Sequence, residues 1–296
     1  MLGKLDGLIM RTACSSTAVS LREAFTLIEL LVVMAIILIL ASLLLPSLSG
    51  AKGRALETVC VNNLHQIGIG LRIYQDDNES RFPPAVVRPI NPQSGVVDAP
   101  FDVRGTLGGF ERRAGYPYND LARMRPLSAY VSAKESFRCP EDRGAPNENC
   151  AGPALRYSKW EELGCSYHYN AGGLTQVAGG GTRFPQLDAA VGLAEKTENW
   201  VSEPSLYILV HEPPARPWGC PGKPAIWVQW HRVQGPNLFK DPAVAPQRFV
   251  SPTLFVDGHV KIHNFSKALS ADPRFPYERT RDWIWYRPAE GEGLGR

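Results

Sequence analysis

Ala24–Leu48 reads AFTLIELLVVMAIILILASLLLPSL, and the rest of this 296-residue chain is read outward from it. From Phe25 to Leu45 every residue is apolar except Thr26, Glu29 and Ser42. A helix rises ~1.5 Å per residue, so the run would be roughly 30 Å long, the thickness of a bilayer's hydrocarbon core. A carboxylate inside such a helix costs about 2.5–3.5 kcal/mol on insertion scales, which makes Glu29 a candidate functional residue. The run is longer than the ~7–15-residue apolar region of a cleaved secretory signal. The small residue suited to a cut, Ala24, precedes it rather than follows it.

Ala24-Phe25-Thr26-Leu27-Ile28-Glu29-Leu30 resembles the N-terminal cleavage and methylation motif of type IV prepilins and type II secretion pseudopilins: a small residue, usually Gly, followed by Phe-Thr-Leu-Ile-Glu. The resemblance implies cleavage between Ala24 and Phe25 by a prepilin peptidase and N-methylation of the new Phe25 amine. It also implies that Glu29 pairs with a neighbouring subunit's N-terminus during assembly. Ala24 departs from the usual Gly, but it is small enough for cleavage to be expected. The implied partners are the inner membrane, the peptidase and methylase, and other pilin or pseudopilin subunits.

The composition, 44 % hydrophobic and 21 % charged, is ordinary for a globular protein. A net charge of +3 with no concentrated basic patch argues against nucleic acid as a partner. Lys4, Arg11 and Arg22 outnumber Asp6 and Glu23 ahead of the apolar run, which favours a cytoplasmic N-terminal side. The expected location is the bacterial inner membrane, single-pass, with the C-terminal head in the periplasm or outside the cell. Of the six Cys, Cys14 would leave with the leader. Cys139, Cys150 and Cys165 are near enough in sequence to supply one disulfide in an oxidising compartment, but the pairing among these and Cys220 stays open.

Taken in order, residues 1–24 read as a leader and 25–46 as a transmembrane helix, with Pro46 expected to bend rather than stop the helix. Residues 47–80 continue it as an amphipathic helix. Leu56, Cys60, Leu64, Ile67, Leu71 and Tyr74 recur at spacings of four and three, one face of a 3.6-residue period. Lys52, Arg54, Glu57 and Arg72 lie off that stripe. Cys60 lies on it and reads as a small buried hydrophobe. Gly68 and Gly70 weaken the helix, and Asp76-Asp77-Asn78 with Pro83-Pro84 end it. Cys60–Gly68, Phe82-Pro83, Phe137-Arg138-Cys139-Pro140 and Ser166–Asn170 resemble segments of a pseudopilin-like group whose C-terminal motif is written H-X9-DG.

Residues 81–287 form the expected extracytoplasmic head, and 288–296 a tail expected to be disordered. Phe82–Arg123 reads as an irregular connection and Leu121–Val131 as a short helix weakened by Pro126. Strands are predicted at Cys165–Asn170, Ser205–Val210 and Ala225–Trp230, with a mobile Gly-rich link at Ala171–Thr182. Thr253–Ile262, TLFVDGHVKI, predicts a hairpin with Asp257-Gly258 as a two-residue type I′ turn. Those two residues match the Asp-Gly of H-X9-DG. The group's His should stand ten positions before Asp257, where this chain has Gln247; the nearest upstream His is His231.

No GxSxG, HExxH, CxxC or phosphate-binding loop occurs, so no catalytic residue, cofactor or metal is assigned. His211-Glu212, His231, Asp257, His259 and His263 could gather as a metal or acid–base cluster, but a solvated hairpin face is the plainer reading of the group. Asp76, Asp77 and Asn78 lack the spacing of a calcium loop and read as a helix end. The expected fold class is α+β and pilin-like: one long N-terminal helix on an antiparallel sheet, with irregular insertions. The expected role is a structural, non-enzymatic subunit of a type II secretion or type IV pilus-like filament. The competing class is a membrane-tethered enzyme or carbohydrate-binding head that uses prepilin processing for delivery.

Overall fold

The structure is a computed structural model. It describes residues 26–87, 101–102, 107–110, 125–144, 158–171, 173–176, 185–188, 192–212, 227–232, 238–239 and 250–266. The chain divides into two compact units, Met1–Gly50 and Ala51–Arg296. A single helix, α1 (Leu27–Asp77), supplies residues to both. It runs through Pro46 without ending.

In the first unit α1 is long and apolar enough to cross a membrane. Its Leu, Ile and Val side chains from Leu27 to Leu48 are exposed, Leu27 at 82 %. The hydroxyls in this stretch are turned back onto the helix: Ser42 Oγ donates to Ile39 O at 2.7 Å and Ser47 Oγ to Leu44 O at 2.8 Å. A polar group in a nonaqueous surrounding must be satisfied in this internal way.

In the second unit the predicted stripe is the buried face of α1. Cys60, Leu64, Ile67 and Leu71 are buried, with Leu56 and Tyr74 at the margins. Burying a large aliphatic side chain contributes about 1.5–3 kcal/mol, whereas a helix of this length without packing is marginal in water. Tertiary cover therefore holds this stretch helical. The cover is a four-stranded antiparallel sheet built from β3 (His168–Tyr169), β6 (Ile208–His211), β9 (Val250–Phe255) and β10 (Val260–Asn264), in the order β10-β9-β6-β3. Cross-strand register places Tyr169, Val210, Leu254 and Val260 in one row. Leu254 lies against α1 where Gly68 leaves room, since a Cβ there would stand 3.1 Å from Leu254 Cδ1.

Several local expectations are corrected. Within Leu121–Val131, residues 126–130 form turns rather than a helix, with Leu127 N bonded to Leu107 O; Pro126 lacks the amide a helix needs. The strand expected at Ser205–Val210 begins three residues later, at Ile208. Among the described residues of the Ala225–Trp230 stretch, β7 (Trp227–Val228) pairs, with β8 (Leu238–Phe239), while 229–230 are not strand. The stretches expected to be irregular or mobile also contain paired segments: β1 (Val86–Val87) with β2 (Phe101–Asp102), and β4 (Gly173–Gln176) with β5 (Pro185–Asp188). Glu57, off the apolar stripe, is nevertheless buried, because Arg232 Nη2 reaches its carboxylate at 2.7 Å.

The β9–β10 hairpin forms around Asp257-Gly258, but through a three-residue loop. Val260 pairs with Leu254, Gly258 N donates to Phe255 O at 2.9 Å, and Phe255 N donates to His259 O at 3.0 Å. A type I′ turn needs two left-handed residues. Here Gly258 has φ +90° and Asp257 is not left-handed; its Oδ1 instead accepts from His259 N at 3.1 Å. The tail and Gln247 lie outside the described residues.

Two helical glycines should respond oppositely to Ala. At Gly70 a Cβ would sit 2.3 Å from Val131 Cγ2, an overlap costing about 1–3 kcal/mol, more than the ~1 kcal/mol gained in helix propensity. At Gly53 a Cβ meets nothing within 4 Å. Gly70→Ala is expected to lower the thermal midpoint and Gly53→Ala to raise it, measured by circular dichroism on the detergent-extracted protein.

Candidate functional site

Two polar constellations stand out. The first begins α1. Thr26 N and Thr26 Oγ1 both donate to Glu29 Oε2, at 2.9 and 2.6 Å, and Glu29 N donates to Thr26 Oγ1 at 3.3 Å. This is a reciprocal capping box, which satisfies amides that the first helical turn leaves without partners. Glu29 is exposed and held by its own chain. The Thr-x-x-Glu spacing is itself a sequence signal for this cap. Ala24 and Phe25, the expected cut and methylation site, lie outside the described residues.

The second constellation is in the core of the second unit. Cys60 of α1, Cys139, Glu212 just after β6 and His231 just after β7 each offer one ligand atom, and those atoms lie within 4.8 Å of one another. All four residues are between 0 and 1 % exposed. Cys60 Sγ and Cys139 Sγ are 2.9 Å apart, His231 Nε2 is 2.7 Å from Glu212 Oε2 and 3.5 Å from Cys139 Sγ, and His231 Nδ1 faces Glu141 Oε2.

Backbone anchors fix each contributor. Asn63 Nδ2 donates to Arg138 O at 2.8 Å, beside Cys139; Gln229 Nε2 donates to His231 O at 2.7 Å; Ser251 Oγ donates to Glu212 O at 3.2 Å. Just beyond Glu141, Asp142 accepts from Gly144 N (2.9 Å), Lys159 N (3.0 Å), Trp160 N (2.8 Å) and Ser166 Oγ (2.7 Å). It thereby locks the loop that carries Cys139 and Glu141 against α2 (Lys159–Leu163). Trp230 Nε1 donates to Gly144 O at 2.9 Å, tying the same loop to the residue before His231.

Burial and mutual charge set the protonation states. Burial alone would push the His231 imidazole down, but the Glu212 charge and hydrogen bonds to Cys60, Glu141 and Glu212 hold it well above its ordinary value. Burial raises Glu212 against the pull of His231. The Cys139 hydrogen bond lowers Cys60, whereas burial raises Cys139. Burial pushes Cys165 up to about 12, so that thiol stays protonated and unreactive; its Sγ donates to Tyr167 O at 3.1 Å.

Of the residues gathered from sequence, Glu212 and His231 join the buried cluster. His211 pairs across the sheet with His168, their rings 5.7 Å apart and nearly parallel. His259 Nδ1 lies 2.6 Å from Asp257 Oδ1 at the exposed hairpin, and His263 packs beside Phe255 and Phe265. Asp76 and Asp77 are exposed at the end of α1. Neither Cys60 nor Cys139 was assigned to a cluster by the sequence reading. Cys139 and Cys165 are both free thiols, which removes every disulfide pairing considered that involves either of them. Cys150 and Cys220 lie outside the described residues.

Residues 20–45 match the family described as "Prokaryotic N-terminal methylation motif". The chain is also similar to the "Type IV wide pilus major component PilA4" of Thermus thermophilus, 48 % identical over 58 residues. That match takes in 20 % of this chain and 44 % of the relative, so the chain spans under half the length of the curated relative it matches. No solved structure matches. The chain thus carries a prepilin-type N-terminus, and its long helix on a small antiparallel sheet has a pilin-like architecture.

Removing the Asp142 carboxylate leaves buried donors without an acceptor. Hydrogen bonds to charged groups contribute about 1.5–3 kcal/mol each, so Asp142→Ala is expected to lower stability by roughly 3 kcal/mol or more. The measurement is a shift of the urea midpoint at unchanged slope.

Proposed function

We propose that this protein is a structural, non-enzymatic subunit of a type II secretion or type IV pilus-like filament. It is inserted in the bacterial inner membrane with its head outside the cytoplasm, cut between Ala24 and Phe25 by a prepilin peptidase, and N-methylated at Phe25. The observation that carries this reading is the prepilin-type motif heading an apolar helix whose Leu, Ile and Val side chains between Leu27 and Leu48 are exposed. So large an apolar surface needs cover: lipid in the precursor, the same helices of neighbouring subunits in a filament.

Glu29 directs that exchange. The Thr26 bonds all reach Oε2, so Oε1 can accept from the freed Phe25 ammonium of a neighbour. In water such a pair contributes about 1 kcal/mol or less, and several-fold more where the dielectric is low. A subunit that is not paired leaves a carboxylate in an apolar surrounding, so the pairing selects the register between neighbouring helices. Among the described residues the second constellation is buried, at 0–1 % exposure, which suits a structural role for that cluster.

Glu29→Ala is expected to leave cleavage intact, because the cut lies five residues upstream, and to impair incorporation into filaments. Mass spectrometry of the N-terminal peptide and sheared-filament fractions read the two separately; normal incorporation of the variant would remove the pairing role. Ala24→Phe is expected to leave an unshifted precursor in the membrane fraction, by intact mass.

A further inference from the structure

The core of the second unit contains four groups that can serve as metal ligands, on four segments far apart in sequence: Cys60, Cys139, Glu212 and His231. Packing does not require them. Two carboxylates and an imidazole removed from water cost several kcal/mol unless they are fully paired. A thiol pair by itself needs neither a carboxylate nor an imidazole beside it. Yet His231 Nε2 stands 3.5 Å from Cys139 Sγ and a Glu212 oxygen lies within 4.8 Å of both sulfurs, and Glu212 Oε1 is buried with no hydrogen-bond partner among the described residues.

The orientation of His231 is informative. Its Nε2 faces Glu212 and Cys139, while its Nδ1 is turned to Glu141. A histidine that binds a metal through one nitrogen characteristically donates the other N–H to a carboxylate, which sets tautomer and ring orientation. Gln229 and Asn63 hold the backbone at His231 and next to Cys139, the kind of support a preorganised site needs.

We propose that Cys60, Cys139, Glu212 and His231 form a structural zinc site, with two thiolates, one Glu212 oxygen and His231 Nε2 as ligands and Glu141 as the positioning residue for the imidazole. Two sulfurs, one nitrogen and one oxygen suit a borderline-soft ion with no redox chemistry and a tetrahedral preference. Tetrahedral zinc with these ligands has ligand–ligand edges of about 3.3–3.8 Å, within the 4.8 Å spread of the four atoms. The two sulfurs, at 2.9 Å, open by about 1 Å to reach such an edge. Four protein ligands and no exposed position make the site closed, as in structural rather than catalytic zinc centres. Binding exchanges the thiol protons and the Nε2 proton for the ion, while Nδ1–H stays on Glu141. The site fastens the Ala51–Asp77 part of α1 to the ends of β6 and β7 and to the loop after Phe137. It does not depend on the filament reading.

The test uses the full chain, extracted in detergent without chelator or a metal-affinity tag. Elemental analysis is expected to give one zinc per chain. Replacement by cobalt is expected to give the intense visible bands of tetrahedral cobalt and a sulfur-to-cobalt charge-transfer band. Glu141→Gln, which leaves all four ligands in place, is expected to weaken zinc binding about 10–100-fold, read by competition with a chromophoric chelator. Cys139→Ser and His231→Gln are expected to lose the ion. Three results would overturn the proposal: a Cys60–Cys139 disulfide in peptide maps of a zinc-free protein, cobalt spectra without thiolate ligation, or zinc retained equally by the folded His231→Gln variant, which would mark an adventitious ion only. Should the ligand variants fail to fold, the cobalt spectrum of the unaltered chain and the Glu141→Gln affinity still decide.

Discussion

The second unit depends on burying one stripe of α1, from Leu56 to Tyr74, against the sheet row Tyr169, Val210, Leu254 and Val260. Without that cover the helix lacks a reason to persist in water, and without the helix the sheet has a bare apolar face. Gly68 sets how closely the two approach, leaving room where Leu254 of β9 arrives, and Gly70 does the same for Val131 of the loop after the 126–130 turns. Both glycines lower intrinsic helix propensity, yet they sit where bulk would cost more than propensity returns. Short range and long range conflict at these positions, and packing wins by a margin of the order of 1 kcal/mol.

The same core carries an unusual polar load. Glu57 is buried because Arg232 reaches it, and His231, next in sequence, is flanked by Glu141 and Glu212. The two neighbouring residues therefore each tie the turn after β7 to a different element, Arg232 to α1 and His231 to the Glu141 loop and the end of β6. Asp142 does for that loop what the sheet does for the helix: it collects four donors that would otherwise face an apolar interior. Such networks are costly when incomplete and position-specific when satisfied. They explain how segments with little regular structure can hold ligand-bearing side chains in place.

At the other end of the chain the physics is reversed. The Leu, Ile and Val side chains between Leu27 and Leu48 are exposed, and the Ser42 and Ser47 hydroxyls among them turn inward to the helix backbone. Glu29 serves its own helix through Thr26. One residue thus combines a local duty, legible from the Thr-x-x-Glu spacing, with an intermolecular one that the proposal assigns to it.

What the sequence determined by itself is whatever rests on periodicity or on a contiguous motif. The apolar run, the Thr26–Glu29 spacing, the Leu56–Tyr74 stripe and the Asp257-Gly258 hairpin all lie within a few residues of their own partners, so neighbours along the chain suffice to specify them. Even there the finer geometry escaped: Asp-Gly suits a two-residue turn, and only pairing of Leu254 with Val260 made the loop three residues long. The β1–β2 and β4–β5 pairs, the burial of Glu57 and the meeting of Cys60 with Cys139, Glu212 and His231 were decided by tertiary structure alone. Cys60 and Cys139 are 79 residues apart and Cys139 and His231 are 92 apart. No local pattern records such a distance; it is closed only when the helix stripe docks on the sheet and brings the ends of β6 and β7 beside α1.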